Sequence, residues 1–150
     1  MKVISVLHID DDIDLLYLAR HFLELGGRIK VVAVSSAREG LEYLKTRKFD
    51  VIVSDYEMPE MTGIDLLKKL KVLRDTTPFI IFTGRRDEVS IEAIHCGADF
   101  CVQKGGSPGK LFRDLNDLIS LAVQTRRPGG TSDHRDISQS CKRGTERILD

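Results

Sequence analysis

Side chains that could take part in phosphoryl chemistry follow four short apolar segments of the chain. Asp10 and Asp11 follow VISVLHI, Asp55 follows VIVS, Thr83 follows FIIF, and Lys104 follows DFCVQ. Carboxylates held a few ångströms apart repel by roughly 4 kcal/mol per pair at an effective dielectric of about 20, so a cluster of them binds a proton or a cation. Oxygen ligands with room for water favour Mg²⁺ over Ca²⁺ or zinc. A carboxylate beside such an ion can attack phosphorus and form an acyl phosphate, while a hydroxyl and an ammonium hold the phosphoryl oxygens.

These side chains meet only if the segments before them are strands of one sheet. The apolar segments alternate with stretches of helical periodicity, which predicts five strands and five helices. The predicted strands span residues 3–9, 29–34, 50–54, 79–82 and 99–102, and the predicted helices begin near residues 12, 36, 62, 88 and 107. Short connections favour a doubly wound parallel α/β sheet in the flavodoxin-like order 2-1-3-4-5. In that order the strand ending at Asp10 lies beside the strand ending at Asp55.

Composition limits the class of protein. The chain has 150 residues, 41% of them hydrophobic and 31% charged, with a formal net charge of zero, which is typical of one globular domain and gives no general attraction to nucleic acid or membrane. Three cysteines without C-x-x-C spacing indicate a reducing compartment, and we expect a cytoplasmic protein. Residues 126–150 are rich in Gly, Ser and charge, so we expect a domain over residues 1–125 followed by a flexible tail or linker.

Four motifs in order, LHIDDD, DYEMPEMTG, FTG and GADFCVQK, resemble the receiver domain of two-component response regulators, which has the fold of the chemotaxis regulators. The resemblance covers residues 2 to about 124. It implies that Asp55 is the phosphoacceptor and that Mg²⁺ is the cofactor. It further implies roles for the residues that match the other motif positions: Asp10, Asp11, Asp55 and the main-chain carbonyl of Glu57 as metal ligands, Thr83 as the switch hydroxyl, and Lys104 as the phosphate-binding lysine.

The resemblance also implies partners. The phosphoryl group would come from a histidine kinase, a phosphotransfer protein or a small phosphodonor, and a downstream protein would bind the surface formed by residues 88–122. A phosphorylation-dependent homodimer is a further expectation. Such a protein is not an enzyme beyond its own phosphorylation and slow dephosphorylation. The FTG and QKGG segments are similar to receivers joined to sensory and kinase modules in methanogenic archaea, so the chain could also be the receiver portion of a larger hybrid sensor kinase.

Two departures from the family pattern concern the segment around Lys104. Cys101 occupies the position of the usual aromatic switch residue, so the usual coupled movement with the threonine would need the neighbouring Phe100. The residue after Lys104 is Gly105 rather than the usual proline with a cis bond. A cis bond without proline costs about 2.5–4 kcal/mol, so we expect a trans loop here. 

A third departure concerns dephosphorylation. Glu57 and Arg85 stand two positions beyond the phosphoacceptor and the threonine. Opposite charges at these positions could pair across the mouth of the site and obstruct the attacking water. The pair therefore predicts slow dephosphorylation, which Glu57→Ala and Arg85→Ala would accelerate.

Other interpretations of the same residues stay open at the level of sequence. The D-x-D of Asp10 to Asp12 fits haloacid-dehalogenase-type phosphatases, with Asp10 as nucleophile, but the only acidic residues nearby after the lysine are Asp114 and Asp117, within the last predicted helix. A receiver that only binds partners is another alternative. Asp12 is expected to cap the first helix, and His8 to be buried in the core or at a sheet edge. Cys96 and Cys101 are expected to be small buried apolar residues.

Overall fold

A computed structural model describes residues 2–84 and 88–125. In chain order the elements are β1 (Ile4–Ile9), α1 (Ile13–Glu24), β2 (Ile29–Val34), α2 (Ala37–Thr46), β3 (Val51–Ser54), α3 (Gly63–Val72), β4 (Phe79–Thr83), α4 (Glu88–His95), β5 (Phe100–Gln103) and α5 (Pro108–Thr125). All strand pairs are parallel and the order is β2-β1-β3-β4-β5, which confirms the predicted fold. Within the described ranges, no helix is both long and apolar enough to span a membrane. The predicted tail, residues 126–150, lies outside these ranges.

The register of the strands aligns their carboxyl ends. Ile9 pairs with Ser54, Ser54 pairs with Ile81, and Thr83 pairs with Gln103. Asp10, Asp55 and Lys104 are each the first residue after such a paired strand end, and Thr83 is the last residue of β4. The sheet therefore delivers the predicted site residues to one edge.

Each face of the sheet is covered by its own hydrophobic cluster, because successive strand residues point to opposite faces. Leu7, Ile52 and Ile81 pack with α2, α3 and α4, whereas Val53 and Phe82 pack with α1 and α5. A fully buried side chain of this size stabilises the fold by about 1.5–3 kcal/mol relative to an exposed one. The strands are apolar on both faces because helices cover both.

Side-chain caps begin the helices that follow β2 and β3. At α3 the capping box is complete: Thr62 Oγ1 accepts from the Asp65 amide, and Asp65 Oδ2 accepts from the Thr62 amide, both at 3.1 Å. At α2 the Ser36 hydroxyl accepts from the Glu39 amide at 3.2 Å, but the Glu39 carboxylate accepts from the Ser35 hydroxyl at 3.3 Å. The capping box at α2 is thus only half formed, because a neighbouring hydroxyl competes for the carboxylate.

The predicted element bounds are shifted by a residue at several ends. β5 starts at Phe100 rather than at Asp99, and β4 extends to Thr83. The Asp99 amide donates to the carbonyl of Phe79 at 2.8 Å, and the Phe79 amide donates to the Asp99 carboxylate at 2.8 Å. Asp99 therefore joins β4 to the start of β5 with its side chain as well as its backbone.

Candidate functional site

The centre of the site is a lysine between two buried carboxylates. Lys104 Nζ lies 2.8 Å from Asp10 Oδ2 and 3.3 Å from Asp55 Oδ1. Asp10 is fully buried and Asp55 is 7% exposed, whereas Asp11 is exposed. One carboxylate oxygen from each of Asp10, Asp11 and Asp55 falls within 4.8 Å of the others. Three of the four predicted strand-end positions thus meet, and they form an oxygen-rich cluster beside one ammonium.

Backbone hydrogen bonds just beyond the strand ends fix these side chains. The Asp55 amide donates to the Ile9 carbonyl at 2.8 Å, and the Asp10 amide donates to the Val34 carbonyl at 3.1 Å. The Lys104 amide donates to the Thr83 carbonyl at 2.7 Å. Backbone hydrogen bonds therefore tie Asp10, Asp55 and Lys104 to the ends of the strands.

The start of α1 holds the Asp10 side chain in place. The Asp12 amide donates to Asp10 Oδ1 at 2.9 Å, so the two oxygens of Asp10 have separate partners, this amide and Lys104. Asp12 itself accepts from the Leu15 amide at 3.2 Å and is the N-cap of α1, which confirms the predicted role. Asp11, between these two anchored residues, is exposed.

The loop that follows Asp55 folds back tightly against it. A Cβ built at Gly63 would overlap the Asp55 carbonyl oxygen, so only glycine fits at the start of α3. The Gly63 amide donates to the Tyr56 carbonyl at 2.8 Å, and the Ser54 hydroxyl donates to the Asp55 carbonyl at 3.0 Å. Gly63 was not predicted as a site residue. Its signals in the sequence are its place at the end of the DYEMPEMTG motif and directly after the capping residue Thr62.

Burial and like charge shift the pKa of the carboxylates upward. Desolvation raises the pKa of Asp55 to about 6, and the neighbouring Asp10 adds to the shift, while Lys104 opposes it. Burial also raises the pKa of Asp10 against the opposing bonds from Lys104 and the Asp12 amide. Burial lowers the pKa of Lys104, but the hydrogen bonds and charges of Asp10 and Asp55 outweigh burial and raise it. Together with Asp11, these groups place three carboxylates beside one ammonium.

His8 lies two residues before Asp10, inside the sheet. It is fully buried, and neither ring nitrogen hydrogen-bonds to a described residue. Burial, with a smaller contribution from the charge of Lys104, lowers its pKa to about 3. Its ring stands 6.2 Å from that of Phe82, over which Lys104 Nζ also sits at 5.5 Å. His8 is therefore a core residue, as predicted, and its lowered pKa favours the neutral ring.

Thr83 and Cys101 lie on the side of the sheet that faces α4. Thr83 is buried at the end of β4, and Cys101 is half-buried and accepts from the Ser90 hydroxyl at 3.4 Å. Phe100 points the other way and packs in the cluster beneath α1 and α5. Phe100 therefore does not take the place of the missing aromatic, because adjacent strand residues face opposite sides. Cys101, like Cys96, packs half-buried against the core cluster of the α4 side.

Two remaining expectations have different outcomes. No described peptide bond is cis, so the bond from Lys104 to Gly105 is trans, as predicted. Gly105 and Gly106 have φ of 147° and 74°, which glycine adopts without strain. Glu57 is exposed, but Arg85 lies outside the described residues, so their predicted pairing stays a prediction.

Comparisons with known proteins agree with this geometry. The family model of the response regulator receiver domain matches residues 6–116. Response regulator SaeR of Staphylococcus aureus (strain USA300) is 33% identical over 116 residues, which are 77% of this chain and 50% of SaeR. The chain thus spans about half the length of the curated relatives it matches.

Solved structures give the same result. The receiver domain of Francisella response regulator 1452 is similar with a TM-score of 0.74 and 29% identity, over 82% of this chain and 98% of that one. Chemotaxis response regulator CheY4 of Vibrio cholerae is similar with a TM-score of 0.69 and 28% identity, over 78% and 99%. From its sheet order, its acidic cluster and these matches, the chain belongs to the family of response regulator receiver domains.

Proposed function

We propose that Asp55 accepts a phosphoryl group in a two-component phosphorelay and that residues 1–125 are the unit that does so. The observation that carries the proposal is the position of the Asp55 carboxylate, 3.3 Å from Lys104 Nζ and within reach of the Asp10 and Asp11 carboxylates. Asp55 is slightly exposed at the sheet edge, whereas Asp10 is fully buried with both oxygens bonded. Of the two, only Asp55 has an open side from which to reach an incoming phosphorus.

Mg²⁺ is the proposed cofactor, and the residues fit it. Asp10, Asp11, Asp55 and the main-chain carbonyl of Glu57 would hold it, and the three carboxylates supply oxygen donors within 4.8 Å of one another. The raised pKa of Asp55 is due first to burial and then to the charge of Asp10. Three carboxylates against the one Lys104 ammonium leave an excess of negative charge, which supports the fit. When bound, the ion would neutralise this charge and that of the phosphoryl oxygens.

The chain's own groups divide the remaining chemistry. An Asp55 carboxylate oxygen forms the new bond to phosphorus, and the bond between phosphorus and the donor breaks with its electron pair leaving on the donor. The Lys104 ammonium lies 3.3 Å from the Asp55 carboxylate and would bind one oxygen of the phosphoryl group on it. The Thr83 hydroxyl is proposed to bond another oxygen and so to report phosphorylation to the α4 side of the sheet. Hydrolysis of the acyl phosphate restores the carboxylate.

We further propose that the phosphodonor is a histidine kinase, a phosphotransfer protein or a small phosphodonor. An exposed apolar patch next to the site supports protein docking: Ile13 is 57% exposed and Tyr17 is 76% exposed, one turn apart at the start of α1. A downstream protein would bind residues 88–122. We expect no enzyme activity beyond autophosphorylation and slow dephosphorylation. The phosphatase alternative is not retained, because Asp114 and Asp117 are exposed on α5 and Asp114 pairs with Lys110 there.

The proposal predicts a Mg²⁺-dependent adduct. Incubation with acetyl phosphate and Mg²⁺ should add the mass of one phosphoryl group, because Asp55 is a carboxylate near neutral pH. Asp55→Asn should abolish the adduct, while Asp117→Asn, an exposed matched control, should keep it. An adduct that survives in Asp55→Asn would overturn the assignment. Absence of both the adduct and Mg²⁺ binding in the wild type would favour a receiver that only binds partners.

A further inference from the structure

A groove of about 940 Å³ runs between α2 and α3, away from the acidic site. It lies near the carboxyl ends of the two helices, and the segments that lead into β3 and β4 close its lower end: Phe49 and residues 75–77 line it there. The groove is not used by the chemistry of Asp55. Its lining combines an apolar floor with a charged rim.

The floor of the groove is apolar and partly open to water. Phe49 and Leu70 are buried at its base. Leu41, Leu44 and Met61 are half-buried along its length. Leu73 is 65% exposed at the end of α3. A concave apolar strip between two helices has the shape that accepts the apolar face of a third helix.

The rim of the groove is cationic, although the whole chain has a net charge of zero. Six basic side chains line it against two acidic ones, and all six are exposed: Arg38, Lys45, Arg47, Lys48, Lys69 and Arg74. Each of the two acidic side chains already has a partner in the lining. Glu42 binds Lys45 at 2.8 Å, and the Asp75 carboxylate accepts from the Thr77 hydroxyl at 2.6 Å. The rim therefore presents a net positive potential to solvent.

Helix dipoles explain part of this charge, since cations stabilise the carboxyl ends of helices. They do not explain why the cations surround an apolar strip that the protein leaves open. Arg47, whose guanidinium lies 5.1 Å from the centre of the Phe49 ring, combines both properties in one place. The apolar floor and the cationic rim together favour a ligand that has both apolar and acidic groups.

We propose that the groove between α2 and α3 is a docking site for an acidic amphipathic helix of another protein. Apolar residues at helical spacing would lie on the floor, and flanking Glu or Asp would face the rim. The concave shape favours a helix over a membrane surface, and the apolar floor favours it over nucleic acid. The docking does not depend on phosphorylation of Asp55, so it can fail or hold independently of the proposed function.

The test uses the full chain, unphosphorylated, and a labelled synthetic helix with Leu on one face and Glu on the other. Fluorescence anisotropy measures affinity, and amide chemical shifts map the contact. We expect saturable binding with shifts confined to residues 38–49 and 61–77. Lys48→Glu with Lys69→Glu should weaken binding by roughly tenfold or more, because charges of the rim are reversed. The charge-matched control, Lys30→Glu with Lys68→Glu, changes exposed lysines outside the lining and should alter affinity less than about twofold.

A second pair of variants tests the apolar floor. Leu73→Gln should weaken binding of the helix, whereas Val72→Gln, an 82% exposed neighbour outside the lining, should not. Equal binding of a scrambled peptide with the same composition would mean general attraction to polyanions and would overturn the proposal. So would absence of saturable binding, or binding of anionic phospholipid vesicles that displaces the helix.

Discussion

Asp55 and His8 are buried titratable residues, and burial moves their pKa values in opposite directions. Asp55 directly follows β3 at the carboxyl end of the sheet, with Lys104 and Asp10 beside it, and its pKa rises to about 6. His8 lies within β1 opposite Val53, without a hydrogen-bond partner among described residues, and its pKa falls to about 3. Both shifts favour the neutral form. At the carboxyl end of the sheet Lys104 can stabilise the charge of Asp55, whereas no described residue hydrogen-bonds to His8 inside the sheet.

The comparison has a consequence for stability. The folded protein binds a proton on Asp55 more tightly than the unfolded chain does. The charged carboxylate therefore destabilises the fold above about pH 6, and this destabilisation disappears on acidification. The folded protein binds a proton on His8 less tightly than the unfolded chain does. His8 therefore lowers the free energy of unfolding increasingly as the pH falls below about 6.5. Substitutions at the two residues should therefore stabilise the protein at opposite ends of the pH range.

The largest effect is expected from His8→Leu in acid. At about pH 4.5 the histidine is charged in the unfolded chain but not in the fold, which destabilises the wild type. The difference in free energy of unfolding between His8→Leu and wild type should therefore shift by about 2–3 kcal/mol in favour of the variant between neutral pH and about pH 4.5. Urea unfolding at both pH values measures this change. His95→Gln, at an exposed position of α4, is the matched control. A difference between His8→Leu and wild type that does not vary with pH would show that His8 is protonated in the fold or finds a partner.

Asp55→Asn should act at the other end of the range. In Mg²⁺-free buffer near pH 7, removing the buried charge should stabilise the protein by on the order of 2 kcal/mol. The gain should vanish near pH 4, where the wild-type carboxyl is already protonated in the fold. Thermal unfolding at the two pH values, with Asp117→Asn as control, measures the gain. Stabilisation that is equal at both pH values would contradict the assigned cause.

Gly63→Ala tests whether the edge is rigid. A new Cβ would press on the Asp55 carbonyl, and overpacking of this kind costs roughly 1–3 kcal/mol. We expect this loss in urea unfolding together with slower phosphorylation by acetyl phosphate. Gly26→Ala is the control, because its Cβ would meet nothing within 4 Å. Normal stability in Gly63→Ala would mean that the backbone at Asp55 can move.

Lys104→Met should give the smallest effect, and it links the two regions. The Lys104 charge lowers the pKa of both Asp55 and His8. Without that charge, the pKa of both side chains should rise. Carbon and nitrogen chemical shifts of the two side chains, titrated without Mg²⁺, measure this. A change at Asp55 alone would show that the ammonium does not act on the interior of the sheet.

The sequence was sufficient for the fold and for the meeting of the strand ends. Apolar strands of this length have few arrangements, and the carboxyl ends of parallel strands share one edge, so Asp10, Asp55 and Lys104 could be predicted to lie together. The cap at Asp12 was also predictable, because capping depends on residues within one turn.

Contacts between distant segments were not predictable in the same way. The overlap that a Cβ at Gly63 would make with Asp55 depends on the path of the loop between them. The bond from Ser90 to Cys101 and the packing of Phe100 on the opposite face depend on how β5 pairs with β4 and on where α4 lies, which the strand pattern does not give. A shift of one residue in a strand reverses which side chains face each side.

The most direct test of the central claim is to locate the phosphoryl group. Borohydride reduces an aspartyl phosphate to homoserine, which peptide mass spectrometry assigns to a single residue. After treatment with acetyl phosphate and Mg²⁺, the account predicts homoserine in place of Asp55, with Asp10 and Asp11 unchanged. Homoserine in place of Asp10 or Asp11, with Asp55 intact, would contradict it.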